Sequence, residues 1–253
     1  MNNVTIIYGE QEQTALLTLN RPQVHNAVNE AMMQRFEEVI TMLNNKPHIR
    51  AVILTGAGEE SFCSGGDLKY FATFTTREQA LQMSRRMRRI LDGLSRGRIL
   101  IGAANGRALG GGCEILSACH FRLAAQHAAF SFRQAANGLI TGWGGGVRLL
   151  RLLSRTNALN LLLTGRTIDA FQAAEIGFID EVTSPDELNS AARKLAADCL
   201  RNAAPAVRGF LELEREYQLK GREAAEKLEE KLFGDLWMGP DFREWLSGFI
   251  AKE

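Results

Sequence analysis

The sequence predicts an α/β protein, and three features of its first half carry that prediction. Residues 14–20 are rich in β-formers and end at Arg21-Pro22, which is typical of a strand followed by a turn. Residues 29–44 carry apolar side chains at helical spacing. Residues 51–55 form a short apolar run bounded by glycine, as a buried strand does. Strand, helix and strand in this order favour parallel pairing within one sheet.

The helix predicted at residues 29–44 has to end by Lys46, because Pro47 disfavours a helical residue before it. A second apolar run, residues 99–104, predicts another strand and leads into a glycine-rich loop. The buried face of the helix is predicted to consist of Met32, Met33, Phe36, Val39, Ile40 and Leu43.

The composition changes beyond residue 185. Residues 186–201 and 206–233 are charged, rich in Ala and Leu and poor in β-branched residues, and they predict helices separated near Pro205. A last helix is predicted from Asp241 onward. One face of that helix carries Phe242, Trp245, Leu246 and Phe249. We therefore expect an α/β core at residues 1–190 and a helical region at residues 191–253.

Charge and cysteine content exclude several classes of function. The 253 residues include 30 basic and 29 acidic side chains, a net charge of +1, which gives no reason to expect nucleic acid or an anionic membrane as partner. No apolar stretch approaches the roughly 18 residues of a membrane span. The first ten residues lack the basic and then apolar order of a secretory signal. The four cysteines form no CxxC pair and no metal-binding spacing. We expect a cytoplasmic protein with reduced thiols and no metal.

Two glycine-rich segments, residues 62–68 and 105–114, are the candidate sites of chemistry. The second contains three consecutive glycines just before an apolar helical stretch, so backbone N–H groups at the helix start remain free to bind an anionic oxygen. The fingerprints GxGxxG, GxxxxGK[ST] and GxSxG are absent. Residue chemistry alone therefore leaves two readings, an oxyanion site or a pair of tight turns without chemistry.

A set of short motifs, in one fixed order, resembles the crotonase (enoyl-CoA hydratase/isomerase) superfamily over nearly the whole chain. The motifs are Asn20-Arg21-Pro22, Asn26-Ala27, FCSGGDL at 62–68, NGRALGGGCE at 105–114, Leu163-Thr164-Gly165, Ala173-Ala174 and Ile176-Gly177-Phe178-Ile179. The resemblance implies a crotonase-like spiral of repeated β-β-α turns followed by a C-terminal helical trimerisation region. It also implies acyl-CoA substrates, with coenzyme A arriving as part of the substrate and no further cofactor, and a homotrimer or dimer of trimers.

The resemblance also implies where the site lies. One backbone N–H from each glycine-rich loop forms the family's oxyanion hole, and the matching positions here are Gly66 and Gly111. Ser64 and Gly65, in the first of these loops, are then expected to contact the substrate. The hole would hold the thioester oxygen as it gains charge in an enolate.

The residues that would handle protons depart from the family pattern. Family hydratases place two glutamates around one water, and the first matches Glu114 while the second falls at Gln134. An amide has no useful proton affinity near neutral pH, so hydration by paired carboxylates is disfavoured. Glu114 also has a second reading, a carboxylate at a helix start that is stabilised by the helix dipole without catalytic work.

Two further segments narrow the expected reaction. Residues 141–145, with Trp143, and residues 233–240 resemble ethylmalonyl-CoA decarboxylase-like members of the superfamily. This implies a lyase of fatty acid metabolism that decarboxylates a short 2-carboxyacyl-CoA of the ethylmalonyl or methylmalonyl type. Trp143 and Phe132 either shape an apolar substrate pocket or pack in the core. The alternatives are an enoyl-CoA hydratase or isomerase that uses Glu114, and a non-catalytic acyl-CoA-binding homologue.

Overall fold

The larger of two sheets contains six strands in the order β1-β2-β3-β5-β7-β10, in a computed structural model that describes residues 6–250. These strands are β1 (Ile6–Gln11), β2 (Thr14–Leu19), β3 (Ala51–Gly56), β5 (Ile99–Ala104), β7 (Phe121–Ala125) and β10 (Glu181–Thr183). The β1–β2 pair is antiparallel, and the other pairs of neighbours are parallel. The predicted strands and their parallel pairing are confirmed.

In chain order, the strands of the smaller sheet fall between strands of the larger sheet. Its strands are β4 (Ser61–Cys63), β6 (Arg107–Leu109), β8 (Ala129–Ser131) and β9 (Ile168–Asp169). The chain passes from β3 to β4, from β5 to β6 and from β7 to β8, so each pass gives one strand to each sheet. Because helices follow these strand pairs, the result is the predicted spiral of β-β-α turns.

Helices connect these strands and follow the last of them. They are α1 (Glu30–Asn44), α2 (Leu68–Phe71), α3 (Arg77–Ser95), α4 (Gly111–Leu116), α5 (Gly145–Leu152), α6 (Arg155–Thr164), α7 (Ala170–Glu175) and α8 (Leu188–Leu200). Helix α1 is confirmed: the Asn29 side chain caps it by accepting from the N–H of Met32 at 3.0 Å. Of the helical face predicted there, Ile40 is half-buried, while the other five residues are buried.

The remaining helices belong to a second compact unit; the first unit ends at Ala196 and the second begins at Ala197. They are α9 (Ala204–Lys220), α10 (Arg222–Trp237) and α11 (Pro240–Ile250). The single helix predicted at residues 206–233 is wrong, because Gly221 adopts a φ of +83° and separates α9 from α10. The predicted separation of two helices near Pro205 is confirmed: α8 ends at Leu200 and α9 begins at Ala204, with Pro205 in the first turn of α9, where a missing N–H costs nothing. None of the described helices combines the length and apolar character needed to cross a bilayer.

Candidate functional site

The two glycine-rich loops lie side by side because the strands before them are paired. Strand β4 pairs in parallel with β6, so both chains leave the smaller sheet at the same edge. A Cβ added at Gly65 would lie 2.8 Å from the backbone N of Gly111, and one added at Gly112 would lie 2.0 Å from the carbonyl oxygen of Cys63. Side chains at these positions would force the loops apart. Glycine is therefore required for the contact itself.

The N–H groups of Gly66 and Gly111 are both left available by the local backbone. In a short bridge, the N–H of Val28 donates to Gly65 O and the N–H of Asp67 donates to Val28 O, each at 2.8 Å. This pattern does not use the N–H of Gly66. Gly111 is the first residue of α4, where an N–H has no acceptor within the helix. Within residues 6–250, neither group has a hydrogen-bond acceptor, as an oxyanion hole requires.

An aromatic ring covers each of these two glycines. A Cβ added at Gly66 would lie 2.0 Å from Cζ of Phe71, and one added at Gly111 would lie 2.3 Å from Cζ3 of Trp143. Trp143 is 4% exposed, and its Nε1–H donates to Sδ of Met83 at 3.2 Å. An aromatic ring therefore packs against the Cα of each glycine, next to the N–H group.

Glu114 lies in the first turn of α4 and is 2% exposed. Its Oε2 accepts from the N–H of Trp143 at 2.7 Å and from the N–H of Gly145 at 2.9 Å. Its Oε1 accepts from the N–H of Gly142 at 3.2 Å and from Nε2 of Gln134 at 3.0 Å. Burial raises the pKa of the Glu114 carboxyl above its usual value, and these four hydrogen bonds oppose the rise.

Gln134 reaches the same site from the turn that follows β8. Its Nε2 lies 3.9 Å from a Cβ added at Gly110, next to the start of α4. Because Glu114 accepts from Nε2, the amide orientation is fixed, and Oε1 is the atom left for another partner. Oε1 is buried and has no hydrogen-bond partner among the described residues. The structure thus places Gln134 beside Glu114, where the sequence predicted an amide in place of a second carboxylate.

Phe132 and Ser64, two other predicted site residues, make contacts within the protein itself. Phe132 is 1% exposed and packs against Phe178 at a centroid distance of 5.7 Å, beside Phe130, so it belongs to the core. Its contacts favour the core-packing reading over the pocket reading. The Ser64 N–H donates to His25 O at 2.9 Å, which fixes the start of the first loop. A substrate contact of Ser64 stays a prediction.

Asp67 organises the turn after Gly66. Its Oδ2 accepts from Nη1 of Arg21 at 2.9 Å, and its Oδ1 accepts from the N–H groups of Lys69 and Tyr70. Burial raises the pKa of Asp67, but the hydrogen bonds from Arg21 and these N–H groups outweigh burial and hold the pKa below its usual value. Arg21 comes from the first motif of the resemblance, and its role is to fix this loop.

Helix α3 contributes contacts behind the site. Ser84 Oγ and Arg88 Nε both donate to the carbonyl oxygen of Gly142, next to Trp143. A signal for α3 exists in the sequence, because Thr76 and Gln79 form a capping box at its start. The apolar residues that follow at helical spacing are Met83, Met87, Ile90, Leu91 and Leu94.

Comparison with known proteins agrees with this geometry. Residues 9–253 match the family model described as enoyl-CoA hydratase/isomerase. The chain belongs to this family. It is 34% identical over 255 residues to the short-chain-enoyl-CoA hydratase of Clostridium acetobutylicum, covering 100% of this chain and 96% of that protein. It is 31% identical over 249 residues to the crotonyl-CoA hydratase of Syntrophomonas wolfei, covering 98% and 95%.

Solved structures give the same result. The crystal structure of an enoyl-CoA hydratase from Bacillus anthracis superposes with a TM-score of 0.91 at 31% identity, covering 98% of this chain and 97% of the other. The predicted crotonase membership and fold are confirmed. These relatives are named hydratases, so they give no support to the expected likeness to ethylmalonyl-CoA decarboxylase.

Proposed function

We propose that this crotonase-family enzyme decarboxylates a short 2-carboxyacyl-CoA, of the ethylmalonyl or methylmalonyl type, and holds the resulting enolate with the N–H groups of Gly66 and Gly111. The observation that carries the proposal is the Glu114–Gln134 pair. An amide stands 3.0 Å from the carboxylate, in the place where hydration needs a second proton-transferring group. Decarboxylation needs no base in its first step.

The two N–H groups would stabilise the charge that decarboxylation develops on the thioester oxygen. The bond between C2 and the carboxylate breaks, carbon dioxide leaves, and the electron pair moves to the thioester oxygen. That oxygen then accepts from Gly66 and Gly111, and each donor of this kind is worth about 3–4 kcal/mol in enzymes where one has been removed. C2 afterwards takes a proton from water, and the hydroxide formed combines with carbon dioxide as bicarbonate. Phe71 and Trp143 keep the surroundings apolar, which favours loss of a charged carboxylate.

Enoyl-CoA hydration or isomerisation is the second candidate, and the names of the relatives favour it. Both reactions also pass through a thioester enolate, so the same two N–H groups would serve them. They require Glu114 to exchange protons without a carboxylate partner at position 134. A homologue that binds acyl-CoA without turnover would need only the site's shape.

Mass spectrometry of CoA esters separates these candidates. The purified protein is incubated with ethylmalonyl-CoA, methylmalonyl-CoA and crotonyl-CoA in parallel. We expect butyryl-CoA from the first ester and propionyl-CoA from the second, with crotonyl-CoA consumed slowly or not at all. Hydration of crotonyl-CoA with both malonyl esters untouched would replace decarboxylation by the second candidate. Thermal stabilisation by the esters without turnover would indicate a binding protein.

We also propose that the chain assembles as a homotrimer or a dimer of trimers in the cytoplasm. Large apolar side chains are exposed on α10 and α11: Phe233 is 64% exposed, Trp245 61% and Phe249 52%. Patches of this kind mark protein contacts. Light scattering is expected to give the mass of three or six chains. A Trp245→Glu/Phe249→Glu variant is expected to shift that mass downward, and a monomeric parent protein would contradict the proposal.

A further inference from the structure

The Glu114 carboxylate is fully occupied by donors from its own chain. Two carboxylate oxygens offer about four acceptor positions, and four N–H groups fill them at distances from 2.7 to 3.2 Å. Three of these groups are backbone N–H groups of residues 142–145. A side chain that exchanges a proton with substrate needs a position directed at the substrate. Here a proton could enter only by displacing one of the four donors.

The segment 142–145 is built around this carboxylate. A Cβ added at Gly145 would lie 2.4 Å from Cγ of Glu114, so the backbone packs directly on the side chain. Gly144 adopts a φ of +92°, which favours glycine and directs the chain into α5. The Thr141 hydroxyl accepts from the N–H of Gly146 at 3.0 Å and closes the turn.

Hydrogen bonds consequently hold both the N–H and the carbonyl oxygen of Trp143. Its N–H donates to Glu114 at 2.7 Å, and its carbonyl oxygen accepts from Nη1 of Arg148 at 2.9 Å. The indole then lies on Gly111 and donates to Met83. The N–H of Gly111 is one of the two proposed oxyanion donors, so the position of the indole determines what surrounds the enolate oxygen.

We infer that Glu114 is a positioning residue: its carboxylate fixes the 142–145 turn and thereby holds the Trp143 indole against Gly111, and it does not exchange a proton with the substrate. The inference rests on the proposed function only in the choice of reaction for the assay. The hydrogen bonds that anchor the turn are all made within this chain and need no substrate. A displacement of about 1 Å near a reacting centre costs on the order of 10²-fold in rate. The effect of losing Glu114 should therefore be transmitted through Trp143.

A double-mutant cycle tests this inference. In Glu114→Gln, the amide nitrogen faces at least one backbone N–H donor in either orientation, so the turn loosens while the side-chain volume is kept. We expect kcat/KM to fall about 10²-fold, with the shape of the pH profile retained. In a Trp143→Ala background, the same substitution is expected to cost less than about threefold, because effects transmitted through one residue are not additive. An equal loss in both backgrounds, or a lost ionisation in the pH profile, would overturn the inference.

A second variant covers the case in which Glu114→Gln folds poorly. Thr141→Val removes the acceptor for the Gly146 N–H and loosens the same turn with the carboxylate intact. We expect it to lower kcat/KM in the parent and to have little effect in the Trp143→Ala background. Full activity of Thr141→Val, with Trp143 emission shifted, would contradict transmission through the turn.

Tryptophan fluorescence tests the anchoring without any substrate. A Trp237→Phe/Trp245→Phe background leaves Trp143 as the one tryptophan of the chain. Glu114→Gln is expected to shift its emission to longer wavelength as the indole leaves its apolar contact. Unchanged emission would overturn the anchoring, whichever CoA ester the enzyme proves to use. Failure of decarboxylation with shifted emission would instead count against the proposed reaction alone.

Discussion

Gly111→Pro is expected to turn over its CoA ester about 10²- to 10³-fold more slowly than Gly111→Ala, because proline removes the N–H that the enolate oxygen needs. Gly111 is the first residue of α4, a position at which proline is compatible with a helix. The loss corresponds to about 3–4 kcal/mol of transition-state stabilisation. It should appear mainly in kcat, because the donor strengthens its interaction only as charge develops.

Gly111→Ala is the matched control in this comparison. Both variants add a Cβ that meets the Trp143 ring, which lies 2.3 Å from that position. Proline differs from alanine in replacing the N–H by a ring Cδ, which also occupies the space in front of the backbone nitrogen. Single-turnover rates, with circular dichroism to confirm folding, make the comparison. Equal rates for the two variants would show that the N–H of Gly111 does not stabilise the reacting oxygen.

Local patterns predicted the core strands and the first helix correctly, because burial and periodicity act over short distances there. Residues 99–104 are all buried, as a central strand of a parallel sheet must be. The helix at 29–44 carried both a cap and a periodic apolar face. The break at Gly221 was missed, because the flanking residues are good helix formers and one glycine does not always end a helix.

The pairing of Glu114 with Gln134 followed from the resemblance, but the surroundings of both residues did not. Trp143 could be placed near the site from the motifs, but its indole also contacts Met83 of α3, some 60 positions earlier in the chain. Such non-local contacts leave no periodic signal. The core position of Phe132 did have one, since Phe130 and Phe132 alternate along an extended segment and both face Phe178.

Gln134→Glu is expected to make folding stability depend strongly on pH. The new carboxylate would replace an N–H donor that lies 3.0 Å from Glu114 Oε1, and two buried carboxylates at that distance cannot both ionise. The pair therefore holds a proton with a raised pKa, and the folded state binds more protons than the unfolded chain above the ordinary glutamate pKa. The unfolding free energy then falls as pH rises through this window, by about 1.4 kcal/mol for each unit of raised pKa.

Urea unfolding of Gln134→Glu and Gln134→Met between pH 5 and pH 8 measures this dependence. Gln134→Met has a side chain of similar length and also loses the donor to Glu114, but it adds no charge. Because the lost donor lowers the Glu114 pKa in the parent, the stability of Gln134→Met relative to the parent should fall with rising pH, but less steeply than that of Gln134→Glu. Parallel curves for the two variants would mean that position 134 does not interact with Glu114 in solution.

Gln134→Glu also tests whether the Gln134 amide determines which reaction the enzyme catalyses. A carboxylate pair that shares one proton contains both an acid and a base, which is the arrangement that hydration needs. We expect Gln134→Glu to gain hydration of crotonyl-CoA by about 10²-fold over the parent, the lower end of what general acid–base catalysis contributes. Decarboxylation should fall only as pH rises above the raised pKa of the pair, where the second carboxylate ionises and its added negative charge opposes the enolate. If hydration does not rise, the three backbone N–H groups that still donate to Glu114 in this variant are the stronger barrier, because they leave Glu114 unable to exchange protons with substrate.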